Sequence, residues 1–212
     1  MILASLAAHH AAPAPSPAGA ALSLPDLATV LDGLAGLVLT EPSPQTLEQA
    51  DTFFQALPEP LSRETPPVVV DPATVREDYL ALLLVSSSGR YTPPYASIWL
   101  EGRFNAGSTR VVQALYADTG FDPLQLPMSA HWRNPFLPDH IGFELAFTAG
   151  LLYSAQNAAN DEALVATARE WAEQHLTRWV PAFSRALAQH AETPFFRSWA
   201  RCLEILCCDC SG

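Results

Sequence analysis

The chain has 212 residues, 49% hydrophobic and only 16% charged, with 22 carboxylates against 11 basic side chains, a formal net charge of −11 and no lysine. That composition supplies one sizeable core and excludes disorder over most of the length. An acidic surface argues against nucleic acid or anionic membrane as partners, and no apolar run reaches the roughly 18 residues of a membrane span.

Residues 1–20 are low-complexity Ala, Pro and His. No basic residue precedes their apolar stretch, and His9 and His10 interrupt it, so the segment reads as a disordered tail rather than an export signal. Helices are expected over 25–39, 44–57 and 72–86, the last with Val75, Tyr79, Leu82 and Leu83 on one face. A fourth over 108–119 is closed by Gly120 and places Val111, Leu115 and Tyr116 inward. Residues 138–155 are apolar nearly all round and should form the most buried helix. An amphipathic helix follows over 161–179, where Pro181 should end or kink it, then a segment to His190. The last helix, 194–208, carries Phe195, Trp199, Leu203 and Leu206 as its stripe. Ser43-Pro44, Asp71-Pro72 and Thr193-Pro194 each put a capping side chain before a proline that has no N–H to lose. Val68–Val70 is the only β-branched run and is too short to found a sheet. The fold class is all-α: a single-domain helical bundle over 21–206, with a tail at 1–20 and a Cys-rich tail at 207–212.

Four features could carry function. In Thr92-Pro93-Pro94-Tyr95-Ala96-Ser97-Ile98-Trp99 the prolines stiffen an extended backbone, and Tyr95 and Trp99 follow with large rings. The segment is either a rigid connector whose rings fill the core or the wall of a peptide groove, and spacing does not choose. In Pro138-Asp139-His140-Ile141-Gly142-Phe143-Glu144, Pro138 in the first turn would put Asp139 and His140 at a helix N-terminus, where the dipole favours Asp139. His140 and Glu144, four apart, could be a hydrogen-bonded pair, two metal ligands, or part of a partner site beside the 120–138 loop. Trp171, His175, Trp179 and Phe183 form a helical stripe that core packing explains, with His175 satisfied by a neighbour. Cys202, Cys207, Cys208 and Cys210 match no zinc or iron–sulfur spacing, and Cys202 reads as a small buried hydrophobe.

No nucleophile elbow, phosphate loop or H-E-x-x-H motif is present. Two alternatives to a binding protein stay open. One is a metal-assisted helical hydrolase using His140, Glu144 and His175; the other is a redox- or metal-responsive protein acting through its C-terminal cysteines.

Taken in order, Asp78-Tyr79, Pro93-Pro94-Tyr95-Ala96-Ser97-Ile98-Trp99, Tyr116 with Gly120-Phe121, Pro138 to Leu145, His175-Leu176-x2-Trp179-Val180-Pro181 and Pro194-Phe195-Phe196 resemble the TorD/DmsD/NarJ-like molybdoenzyme chaperones. The resemblance spans about residues 25–205. It implies an all-helical TorD-like bundle, not an enzyme, located in the cytoplasm. Such a protein binds the twin-arginine signal peptide of a molybdenum-enzyme precursor and holds it until the cofactor is inserted before export. No resident cofactor is expected, and long connections between helices leave both a monomer and a domain-swapped dimer open. The peptide-contacting positions it implies are Pro93, Pro94, Tyr95, Trp99, Pro138, Asp139, His140 and Glu144. The chain departs from the family pattern at Ala96, where members often carry an acid, and at Phe136-Leu137, where many have Glu-Pro.

Overall fold

The protein is described from a computed structural model covering residues 22–59, 61–64, 71–158 and 161–208. Residues 1–20, Val68–Val70 and Cys210 lie outside the described residues. The helices are α1 (Leu24–Leu39), α2 (Pro44–Gln55), a single turn α3 (Leu61–Glu64), α4 (Pro72–Leu83), α5 (Ala96–Glu101), α6 (Gly107–Thr119), α7 (Ile141–Asn157), α8 (Glu162–Trp171), α9 (Thr177–His190) and α10 (Pro194–Cys208). A π turn, Ala172–Leu176, joins α8 to α9, and 3-10 turns cover Pro123–Gln125 and Ala130–Trp132. The described residues contain no strand, and no helix among them is long and apolar enough to cross a membrane.

Local chemistry starts several of these helices. Ser43 accepts from Thr46 N at 3.2 Å while the Thr46 hydroxyl accepts from Ser43 N, a reciprocal cap. Asp71 accepts from Thr74 N at 3.0 Å. Thr193 departs from expectation: its hydroxyl donates to Asp78 at 2.7 Å instead of capping α10. Asp78 also accepts from the backbone N–H groups of Glu192 and Thr193 and from Arg90, which fastens α4 to the start of α10.

Helix α7 is the buried axis. Phe143, Leu145, Phe147 and Leu152 are all enclosed, and it packs along α1, whose Val38 and Leu39 lie against Gly142. Gly142 makes the close approach: a Cβ there would lie 2.5 Å from Leu39 Cγ and 3.0 Å from Val38 Cγ1. The stripe of α10 and that of α4 are buried as expected. In α6 the register differs: Val112 and Tyr116 face inward, Leu115 is half-buried and Val111 is 61% exposed.

Two expected helix ends shift for identifiable reasons. Pro138 and Asp139 form a turn and His140 is extended, so none of them is helical: Ile141 N donates to Pro94 O at 2.8 Å, and residues 95 and 140 form an isolated antiparallel bridge. Pro181 neither ends nor visibly divides its helix, since α9 continues through it to His190. The proline ring crowds the carbonyl four residues back, and the wider π turn just before α9 absorbs the mismatch. Gly142→Ala should cost about 1–3 kcal/mol through overpacking, despite alanine's better helix propensity. Urea unfolding checks this, and an unchanged or higher midpoint would show that the α1–α7 spacing is not limiting.

Candidate functional site

The segment before α7 builds the site from inside the protein. Asp139 is fully buried, and its oxygens serve α5 rather than α7: the main-chain oxygen accepts from Ala96 N and Oδ2 from Ser97 N, both at 2.9 Å. Those are first-turn donors of α5, which no residue before Ala96 caps with a side chain. Helix α5 was not expected from the sequence, because it is six residues long and its cap lies 42 residues away.

His140 is the N-cap of α7. Its Nδ1 accepts from Gly142 N at 3.1 Å, and the ring sits 4.2 Å from Trp132 and 5.4 Å from both Tyr95 and Phe143. Burial, with His131 nearby, pushes its pKa down to about 3, so the imidazole stays neutral. The expected His140–Glu144 pair does not form. Glu144, fully buried, faces α9 instead: its Oε1 lies 3.0 Å from His175 Nε2, and its Oε2 accepts from Trp179 Nε1 at 3.2 Å. Burial pushes Glu144 up to about 7, against the opposing pull of His175.

The remaining expected residues lie around this core. Pro94 and Pro138 are buried, while Pro93, Tyr95 and Trp99 are half-buried. Trp99 Nε1 donates to Pro93 O at 2.7 Å and its ring packs on Phe183, so it stiffens the turn into α5. Tyr95 meets the half-exposed Phe104 at 5.5 Å. Behind it, Tyr79 receives the Trp132 indole N–H at 2.8 Å and contacts His131 at 2.9 Å. Among the described residues no three His, Cys, Asp or Glu side chains converge as a metal-ligand set. Cys202 and Cys207 are buried in α10, and burial pushes the Cys202 thiol up to about 12.

What the sequence did not disclose is a groove of about 510 Å³ between α6 and α8. Leu100, Val111 and Leu115 form one side; Trp171, Gln174, His175 and Arg178 form the other. Both α6 and α8 rest on Phe147 of α7, through Tyr116 at 5.0 Å and Trp171 at 5.6 Å, which leaves the space above it open. Each side is fastened to the 139–144 segment. Asp139 holds the start of α5, whose end supplies Leu100, and Glu144 holds His175 and Trp179. The spacing of Trp171, Gln174, His175 and Arg178 was the available signal, but a buried stripe shows the same spacing.

Fold and site together define an all-α bundle with an apolar surface groove held from within by buried carboxylates. The sequence matches the family described as nitrate reductase delta subunit over residues 48–185, and the chain belongs to that family, the NarJ/TorD-like redox-enzyme maturation chaperones. The fold is similar to the crystal structure of a candidate redox enzyme maturation protein from Archaeoglobus fulgidus, with a TM-score of 0.54 and 20% identity over 84% of this chain and 91% of that one. No curated protein matches the chain significantly.

His140 and Glu144 have opposite effects on stability in mild acid. His140 has a folded pKa below its unfolded value, so its contribution is complete above about 6.5 and is lost as pH falls toward 3. Glu144 is raised, so its contribution is complete below about 4.5 and is lost as pH rises through 7. His140→Asn keeps a capping side chain and should make the protein more acid-resistant, whereas Glu144→Gln should steepen the acid loss. Chemical unfolding between about pH 4.5 and 6.5 reads both, and parallel profiles for wild type and variants would refute the assignment.

Proposed function

We propose that the protein is a cytoplasmic maturation chaperone, not an enzyme, that binds the twin-arginine signal peptide of a molybdenum-cofactor oxidoreductase precursor and holds it for cofactor insertion before export. The observation that carries this reading is the groove between α6 and α8, with an apolar wall already formed on elements that the 139–144 segment fixes. Preformed apolar grooves between helices suit the apolar stretch of such a peptide, because little ordering cost remains for the protein. The net charge of −11 favours a cationic partner at long range. Family membership supports the chaperone role.

None of the eight residues lines the groove itself. In this reading the half-buried Pro93, Tyr95 and Trp99 meet the peptide beyond it, Asp139 and Glu144 hold the groove walls from the interior, and Pro94, Pro138 and His140 fix the segment that carries those two carboxylates. The test is calorimetric binding to a panel of twin-arginine signal peptides from molybdoenzymes, with Lys-Lys controls. One peptide should bind at micromolar Kd or tighter, and the Lys-Lys form should bind more weakly. Val111→Arg, at an exposed position that folding tolerates, should weaken binding at least tenfold, about 1.4 kcal/mol. Unchanged binding by Val111→Arg would remove the groove from the reading, and silence across the panel would remove the peptide.

A further inference from the structure

The groove and the buried acid share a residue. His175 contacts Glu144 on its inner side at 3.0 Å and lines the groove on its outer side. It lies in the π turn, a rare geometry that occurs preferentially at functional positions. Trp171 stacks on the imidazole with ring centroids 4.2 Å apart and planes 17° apart, so any displacement of His175 carries a second groove residue with it. A chain of contacts therefore runs from α7 through Glu144 and His175 to Trp171 at the groove surface.

The groups around the couple can be named by element. Asp139 approaches from the segment before α7, the buried Tyr116 hydroxyl from α6, the Trp179 N–H from α9 and the Trp171 ring from α8. Glu101, Glu170 and Arg178 line the groove outside. Of the inner groups, His175 and Trp179 favour a charge on Glu144, and Asp139 opposes it.

We propose that the Glu144–His175 couple is a proton-operated latch on the groove: one proton held between the two keeps the π turn and Trp171 in place, and its loss frees that wall. The functional meaning rests on the groove being the client site. With one proton the couple is neutral overall, whichever partner carries it. Without it, a carboxylate stands in the interior beside Asp139, at a cost that hydration relieves. The groove, which His175 lines, offers water a route to the couple. The burial-driven rise of Glu144 to about 7 places the change near neutrality. A loosened wall is no longer preorganised, so client affinity falls as pH rises.

The experiment uses the full chain and two readouts at about pH 6 and about pH 8, which bracket the couple's change. Without ligand, hydrogen exchange over residues 170–178, corrected for intrinsic rates, should lose about tenfold of its protection at the higher pH, while nitrogen NMR follows the His175 ring. Glu144→Gln and His175→Gln should each abolish this pH dependence. If Glu144→Gln does not fold, His175→Gln, at the more exposed partner, carries the test. A wild-type profile that is flat, or that both variants reproduce, overturns the latch. The second readout is affinity for the best-binding twin-arginine peptide of the panel, which should weaken several-fold at the higher pH in wild type only. Equal wild-type affinity at both pH values overturns the latch and leaves the peptide reading intact. No binding by any peptide, with the exchange response present, overturns the peptide reading and supports the latch.

Discussion

Three carboxylates that water does not reach hold this bundle together: Asp78, Asp139 and Glu144. An ionised or strongly polar group in the interior must find protein donors or shift its protonation. Each of the three takes its donors from a remote stretch of chain. Asp78 ties α4 to the start of α10 across 115 residues, Asp139 starts α5 across 42, and Glu144 holds the π turn across 31. Losing one partner of such a contact leaves the other buried and unpaired, which costs far more than the net value of the bond. The carboxylates therefore set the geometry of the structure more than they add to its overall stability.

The groove follows from those constraints. Helices α6 and α8 both lean on Phe147 but are held apart, one by α5 and the other by the π turn, so the space between them is not closed by packing. An apolar opening bounded by helices on separately fixed supports suits a binding role and needs no reacting group. His175 is bonded to Glu144 on its inner side and stacked on Trp171, so the groove wall it belongs to is fixed from within. Membership of the maturation-chaperone family agrees with a protein whose work is to hold another chain.

The chain by itself determined most of the helices, the capping at Ser43 and Asp71, the burial of α7 and the aromatic stripes of α4 and α10. Those features come from residues within a turn or two of one another, where periodicity and cap chemistry operate. Short-range patterns also misplaced some details for the same reason. Val111 and Val112 are equally apolar neighbours, and only the packing of α6 on the rest of the bundle decides that Val112 turns inward. The residues of the site were largely legible as a set, but their roles were not. Asp139 and His140 read as the start of a helix, yet tertiary contacts bury both and assign the carboxylate to α5. Glu144 could pair with His140 four residues away by helical spacing, and tertiary packing gave it His175 thirty-one residues away instead. The groove belongs wholly to the tertiary level, because a gap between two helices depends on where a third one holds them, and no spacing along the chain encodes that distance.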